Sequence, residues 1–129
     1  MARQVIELPG LGHSGQPIPL AVKIGGFVFT GSIGGADPKT GDLPAEPEAQ
    51  IANAFANMKA ILEAAGGDFS HVAKVEVRLS DRSLRSVLNK EWVKAFPNEN
   101  DRPARHTGEG PTGGSGSVVQ MEMIAVLNS

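Results

Sequence analysis

The sequence predicts a single α+β domain over residues 1–129, built as one mixed six-stranded sheet with two helices on one face. Three observations predict it. Apolar residues recur with a period of two in several short runs and at helical spacing in two longer ones. These runs interleave as β-ββ-α-β-α-β-β, without regular βαβ repetition. At 129 residues and 40% hydrophobic, the chain also has the length of one ordinary domain, roughly 100–150 residues.

Gln4 to Leu8 reads as a short strand closed by Pro9-Gly10, and Gly10 to Pro19 as a loop. Leu20–Ile24 and Phe27–Ile33 are β-rich runs separated by Gly25-Gly26, two residues able to supply the positive φ of a tight hairpin turn. Turn formers crowd Gly34 to Glu46. Pro47 suits the first position of a helix, and Glu48 its positive end. Ile51, Phe55, Met58 and Leu62 follow at +4, +3 and +4, widened by Ala54, Ile61 and Ala65, with Asn53, Asn57 and Lys59 off the stripe. Gly66-Gly67 stops this helix. Ala73, Val75, Val77 and Leu79 alternate with Lys74, Glu76 and Arg78 in a half-buried strand. Asp81 or Ser83 caps a second helix with Leu84, Leu88, Trp92 and Ala95 on one face, and Pro97 blocks its continuation. A further strand starts at Arg105, Gly108 to Gly116 is a Gly-rich turn, and Val118 to Leu127 is the closing strand.

Composition excludes several functions. Without Cys there is neither a disulfide nor a thiolate metal site, which fits a reducing compartment. No apolar run approaches the ~20 residues of a membrane span, and no signal-peptide core follows Met1-Ala-Arg-Gln, so a cytoplasmic protein is expected. Twelve basic against fourteen acidic residues lack the positive excess of a nucleic-acid binder. Two segments match G-x-G-x-x-G, Gly10 to Gly15 and Gly108 to Gly113, but neither opens the helix that would hold a pyrophosphate. His13, His71 and His106 lack short ligand spacing, so no metal centre is expected. His13 and His106 lie in Gly/Pro-rich loops, where functional side chains are often displayed.

Two residues stand out chemically. Val119, Met121, Met123, Ala125 and Leu127 share one face of the last strand, and Val118, Gln120, Glu122, Ile124 and Val126 the other. Apolar residues on both faces predict that both are covered, which sets Glu122 among Val118, Ile124 and Val126. A carboxylate there must be paired, hydrogen-bonded or protonated. The pattern leaves open a structural ion pair with Arg105 or Arg102 and an acid–base group that handles water. Arg105 offers a planar fork for an anionic small molecule, or is a solvated surface arginine.

Gly31-Ser32-Ile33 after Val28-Phe29-Thr30, Asp37-Pro38-Lys39-Thr40-Gly41, Gln50, Asn57, Ala64-Ala65-Gly66, Val72 to Leu79, Asn89 with Trp92 and Phe96, Arg102-Pro-Ala-Arg105 and Glu122 to Val126 together resemble the reactive-intermediate deaminase (Rid, YjgF-like) family. The resemblance runs from about Ile18 to Val126. It implies a chorismate-mutase-like fold assembled as a homotrimer, with sheets inward and clefts between subunits. It further implies cofactor-independent hydrolysis of reactive enamines or imines, such as 2-aminoacrylate, to 2-keto acids and ammonia. Arg105 would grip the substrate carboxylate and Glu122 would activate water. Gly31, Ser32, Ile33 and Thr107 would line the cleft, with His13, His106 and Trp92 (core by its helical spacing) as further substrate-binding candidates. The sequence departs from the family at Ile18, where many members carry Tyr, in the order Gly31-Ser32, and from His106 to Gly114, which opens the substrate to one other than 2-aminoacrylate. A non-catalytic trimer that binds a small carboxylic acid, or regulates a partner, is the alternative. The charge balance weakens a ribonuclease reading.

Overall fold

Strands of period two and helices with one apolar stripe fold here into two layers. The computed structural model describes residues 2–13 and 15–127. It contains β1 (Gln4–Ile6), β2 (Ala21–Ile24), β3 (Phe27–Thr30), α1 (Pro47–Ala65), β4 (Val72–Leu79), α2 (Arg85–Ala95), β5 (Ala104–Glu109) and β6 (Val119–Val126). One six-stranded sheet has the order β1-β2-β3-β6-β4-β5. Every pairing is antiparallel except β4 with β5, the two strands that α2 connects. The predicted α+β class, with one mixed sheet and two helices, is the observed one. No helix among the described residues is long and apolar enough to cross a membrane.

The core lies between one sheet face and the helices. Val28, Val75, Val77, Met121, Met123 and Ala125 supply the sheet side; Ile51, Phe55, Met58, Ile61 and Leu62 of α1 and Leu88 and Trp92 of α2 supply the helix side. Among the described residues the opposite sheet face has no covering layer. Phe27 and Phe29, 48% and 40% exposed, lie on it beside Ile124 and Val126, because their Cα partners across β3 and β6 alternate with the buried Val28–Ala125 pair. One chain covers only one face of the last strand; the resemblance assigns the cover of the other face to a neighbouring subunit.

Element ends differ from the sequence reading for local reasons. The first strand stops at Ile6 rather than Leu8. The Phe27 run stops at Thr30, and Ile33 returns only as an isolated bridge to Met121. Of the hairpin glycines, only Gly25 has a positive φ, of 60°. Asp81 caps a 3-10 turn over Arg82–Leu84 that leads into α2, rather than α2 itself. Beyond Arg105 the backbone stays extended through Glu109, because β4 continues beside it to the Leu79–Glu109 pair.

Asn57, expected off the buried stripe, is buried, and so is Gln50. With Asn53 they form a second, polar stripe of α1 at +3 and +4 spacing. Asn57 donates to the carbonyls of Gly34 and Ala36, and Asn53 to that of Gly35, all at 3.0 Å. Gln50 donates to the carbonyls of Pro44 and Gly116 and accepts from the Val118 N–H, each at 2.8 Å. Three amides thus fix the 34–36 segment and the turn before β6 onto one rigid helix. A Gln50→Leu substitution keeps the volume and strands these partners, each buried orphan costing about 1–3 kcal/mol. The urea midpoint is expected to fall with an unchanged slope, measured by circular dichroism.

Candidate functional site

The register of β4 sorts the candidate residues onto two sides of the sheet. Val75 is the Cα partner of Arg105, and Val77 that of Thr107. Glu76 is the partner of His106 on β5 and of Glu122 on β6. Successive residues of a strand point to opposite faces, so Arg105 and Thr107 lie on the helix side, and His106, Glu76 and Glu122 on the open side. Within one chain Arg105 and Glu122 are not neighbours, and the ion pair considered from the sequence does not form. Arg102 is engaged elsewhere, its Nε donating to the Phe96 carbonyl at 2.8 Å.

On the helix side, the Arg105 guanidinium lies 4.9 Å from the centre of the Trp92 ring. Trp92 is itself buried against Phe96, with ring centroids 4.6 Å apart. This stacking holds the long Arg105 side chain over a fixed plane. Among the described residues no carboxylate is within ion-pair distance of Arg105, and its side chain makes no hydrogen bond. Burial, and secondarily the charge of Arg85, pull its pKa down from the ordinary arginine value. A guanidinium remains charged in proteins regardless. The result is a half-buried, oriented cation with no carboxylate partner among the described residues.

On the open side a cavity of about 150 Å³ is lined by Glu76, Arg78, His106, Gly108, Gln120 and Glu122. His106 Nδ1 is 3.8 Å from Glu76 Oε1. Glu122 is exposed in the single chain rather than buried among Val118, Ile124 and Val126. Its carboxyl is nonetheless held above the ordinary range, first by partial burial, then by a hydrogen bond to Glu76 and by that residue's negative charge, with Arg78 and Lys74 opposing.

Gln120 also lines a second cavity, of about 380 Å³, together with His13, Ser32, Asn57, Thr112 and the glycines of the 10–12 and 113–114 segments. The His13 ring occupies the space a side chain at position 31 would fill: a Cβ on Gly31 would lie 2.9 Å from His13 Nε2. That nitrogen is buried and has no hydrogen-bond partner among the described residues. His13, Gly31 and Ser32 therefore form one cluster, joined through Gln120 to the Glu122 cavity. The Ile33 side chain is in the core, and only its backbone frames this region, by paired hydrogen bonds with Met121. His71 lies away from both cavities, its Nδ1 accepting from the Asp68 N–H. Neither glycine-rich segment leads into a helix, since Gly10 to His13 is loop and Gly108-Glu109 ends β5. No group of three or more His, Asp or Glu side chains suited to a metal ion occurs among the described residues.

Over residues 16–127 the chain matches the profile of the family described as Endoribonuclease L-PSP. It is 31% identical over 111 residues, 85% of this chain and 87% of the other, to the 2-iminobutanoate/2-iminopropanoate deaminase of Escherichia coli K12. The chain belongs to the Rid (YjgF-like) family. A chloroplastic Reactive Intermediate Deaminase A of Arabidopsis thaliana is 32% identical over 112 residues, 86% of this chain and 59% of that longer relative. The crystal structure of RidA from the Antarctic bacterium Psychrobacter sp. PAMC 21119 superposes with a TM-score of 0.87 at 34% identity, covering 96% of this chain and 99% of the other.

Glu76 and Gln120 line these cavities of the Rid-family chain, and the sequence pattern does not single them out. Glu76 was visible only as the polar beat of an alternating strand, and its place opposite Glu122 depends on register. The Glu122 shift has a consequence for stability. Its carboxyl binds a proton more tightly when folded than when unfolded, so stability falls as pH rises from the ordinary carboxylate range through the raised one. Glu122→Gln is expected to flatten this decline and to be more stable than wild type at neutral pH, read by urea unfolding between about pH 4 and 8.

Proposed function

We propose that this Rid-family protein hydrolyses small, carboxylate-bearing imines and enamines to 2-keto acids and ammonia, in clefts between the subunits of a homotrimer. The observation that carries this reading is the unpaired Arg105 guanidinium, stacked on Trp92 and half-buried. A planar fork with its stem fixed suits bidentate pairing with a carboxylate. The names of the deaminase relatives support the reaction class.

The chemistry asks for little machinery. The carbon of a protonated imine is already electrophilic, so no redox group or cofactor is needed. Arg105 anchors the carboxylate and fixes the distance to the nucleophile. Water adds to the carbon while its proton passes to the Glu122 carboxylate. That proton moves to nitrogen, the C–N bond breaks, ammonia leaves, and the hydroxyl proton of the carbinolamine passes through Glu122 to solvent, which regenerates the carboxylate. Ser32, Thr107 and His13 supply polar contacts that select the substrate.

Since Arg105 and Glu122 face opposite ways in one chain, a cleft that uses both draws them from two chains. The uncovered face with Phe27, Phe29 and Val126 and the unpaired outer edge of β5 support such an assembly. Light scattering is expected to give three times the 13.5 kDa chain mass; a monomer would contradict the trimer.

Imines generated in situ from amino acids, with their decay followed spectroscopically, test the reaction. Wild type is expected to accelerate decay. Arg105→Ala is expected to lose about a hundredfold or more in kcat/KM, the contribution of two charge-assisted hydrogen bonds. Arg105→Lys keeps the charge without the fork and is expected to fall between. If wild type binds 2-keto acids by calorimetry yet leaves every imine decay unchanged, the protein is a carboxylate-binding module.

A further inference from the structure

Glu76, Glu122 and His106 stand in one row across three adjacent strands. Glu76 is the direct Cα partner of Glu122 in the antiparallel β4–β6 pair and of His106 in the β4–β5 pair. The same two carboxyls line the 150 Å³ cavity and a neighbouring one of about 190 Å³ reached past Lys74 and Ile124. Directly opposed side chains of an antiparallel pair have Cβ atoms roughly 4.5–5.5 Å apart, and like charges there repel. Two carboxylates in that position relieve the repulsion by holding one proton between them.

We propose that Glu76 is a positioning residue for the hydrolysis: the proton that Glu122 takes from water is held between the two opposed carboxyls, so the ionised pair is a stronger base than an isolated surface glutamate. This rests on the deaminase reading of the Glu122 site. The charged groups facing the pair are Lys74 and Arg78 from β4 and His106 from β5; β6 adds the neutral Gln120, and β3 adds Phe29 beside Ile124. Arg78 and Lys74 favour ionisation, whereas the opposed carboxyls disfavour losing the last, shared proton. In an assembly that turns this face inward, water screens the repulsion less and the pair holds its shared proton more firmly.

During turnover the pair starts with both carboxylates ionised. Glu122 takes a proton from the attacking water, shares it with Glu76, and returns it to the leaving nitrogen. It then takes the hydroxyl proton of the carbinolamine, which passes to solvent. The acidic limb of the pH–rate profile accordingly reports the ionisation of the pair rather than of Glu122 alone.

Two readouts on the full-length protein test this. Carbon-13 NMR titration of labelled glutamate carboxyls does not depend on activity. Wild type is expected to show two resonances moving together in two steps, and Glu76→Gln a single step for Glu122 at lower pH. In imine hydrolysis, Glu76→Gln is expected to move the acidic limb of kcat down by about one pH unit with KM little changed, and Glu76→Asp to restore most of the wild-type position. Independent titration of the two carboxyls in wild type would overturn the pairing, whatever the protein does to imines. An unmoved limb in Glu76→Gln, with wild-type NMR coupled, would overturn the role in turnover. An absence of turnover in wild type would overturn that role too, and with it the deaminase reading, while the titration still decides the pairing.

Discussion

Strand β4 lies between β6 and β5, and its alternation decides where every reactive side chain of the sheet points. Val75 and Val77 turn toward the helices, so their β5 partners Arg105 and Thr107 do too; Glu76 turns away, and so do His106 and Glu122. A slip of one residue would move the whole set to the other face. The buried column of Val75, Val77 and Leu79 against Met123, Met121 and Val119 resists that slip, because it would drive Lys74, Glu76 and Arg78 into the core. The core therefore fixes the chemistry through register.

Rigid supports surround the reactive groups. Trp92, packed on Phe96, gives Arg105 a plane to lie on. The Gln50, Asn53 and Asn57 amides hold the backbone of the segments around the larger cavity by bonds to carbonyls and an N–H rather than by apolar contact. Gly31 leaves room for the His13 ring, bringing a loop far from β6 in sequence next to the cavity that Gln120 shares with Glu122. Polar groups positioned in this way lose little entropy when a ligand arrives.

Much of this was legible in the sequence. The stripe of α1, its Pro47 start, the hairpin at Gly25-Gly26 and the alternation of β4 follow from spacing and local backbone preference, and all are observed. The site was less legible. Glu122 stands out in the sequence as a carboxylate among apolar neighbours, but what covers its face is not encoded in the strand's own pattern, since no described residue of the same chain forms a layer over it. Asn57 falls off the apolar stripe of α1, and spacing alone does not show that a buried amide satisfying two carbonyls is as much a core residue as Met58. Glu76 escaped notice because pairing between distant strands depends on register, which no local pattern encodes.

The central claim is that the anion-binding cation and the water-activating carboxylate of each cleft come from different chains. Subunit complementation tests it most directly: Arg105→Ala and Glu122→Gln chains, each inactive alone, are unfolded together, refolded and assayed for imine hydrolysis. Mixed oligomers place an intact Arg105 beside an intact Glu122 in some of their clefts, so the mixture is expected to regain a clear fraction of wild-type activity. If mixed oligomers form and stay as inactive as either variant, the two groups do not meet across a subunit boundary and the account fails.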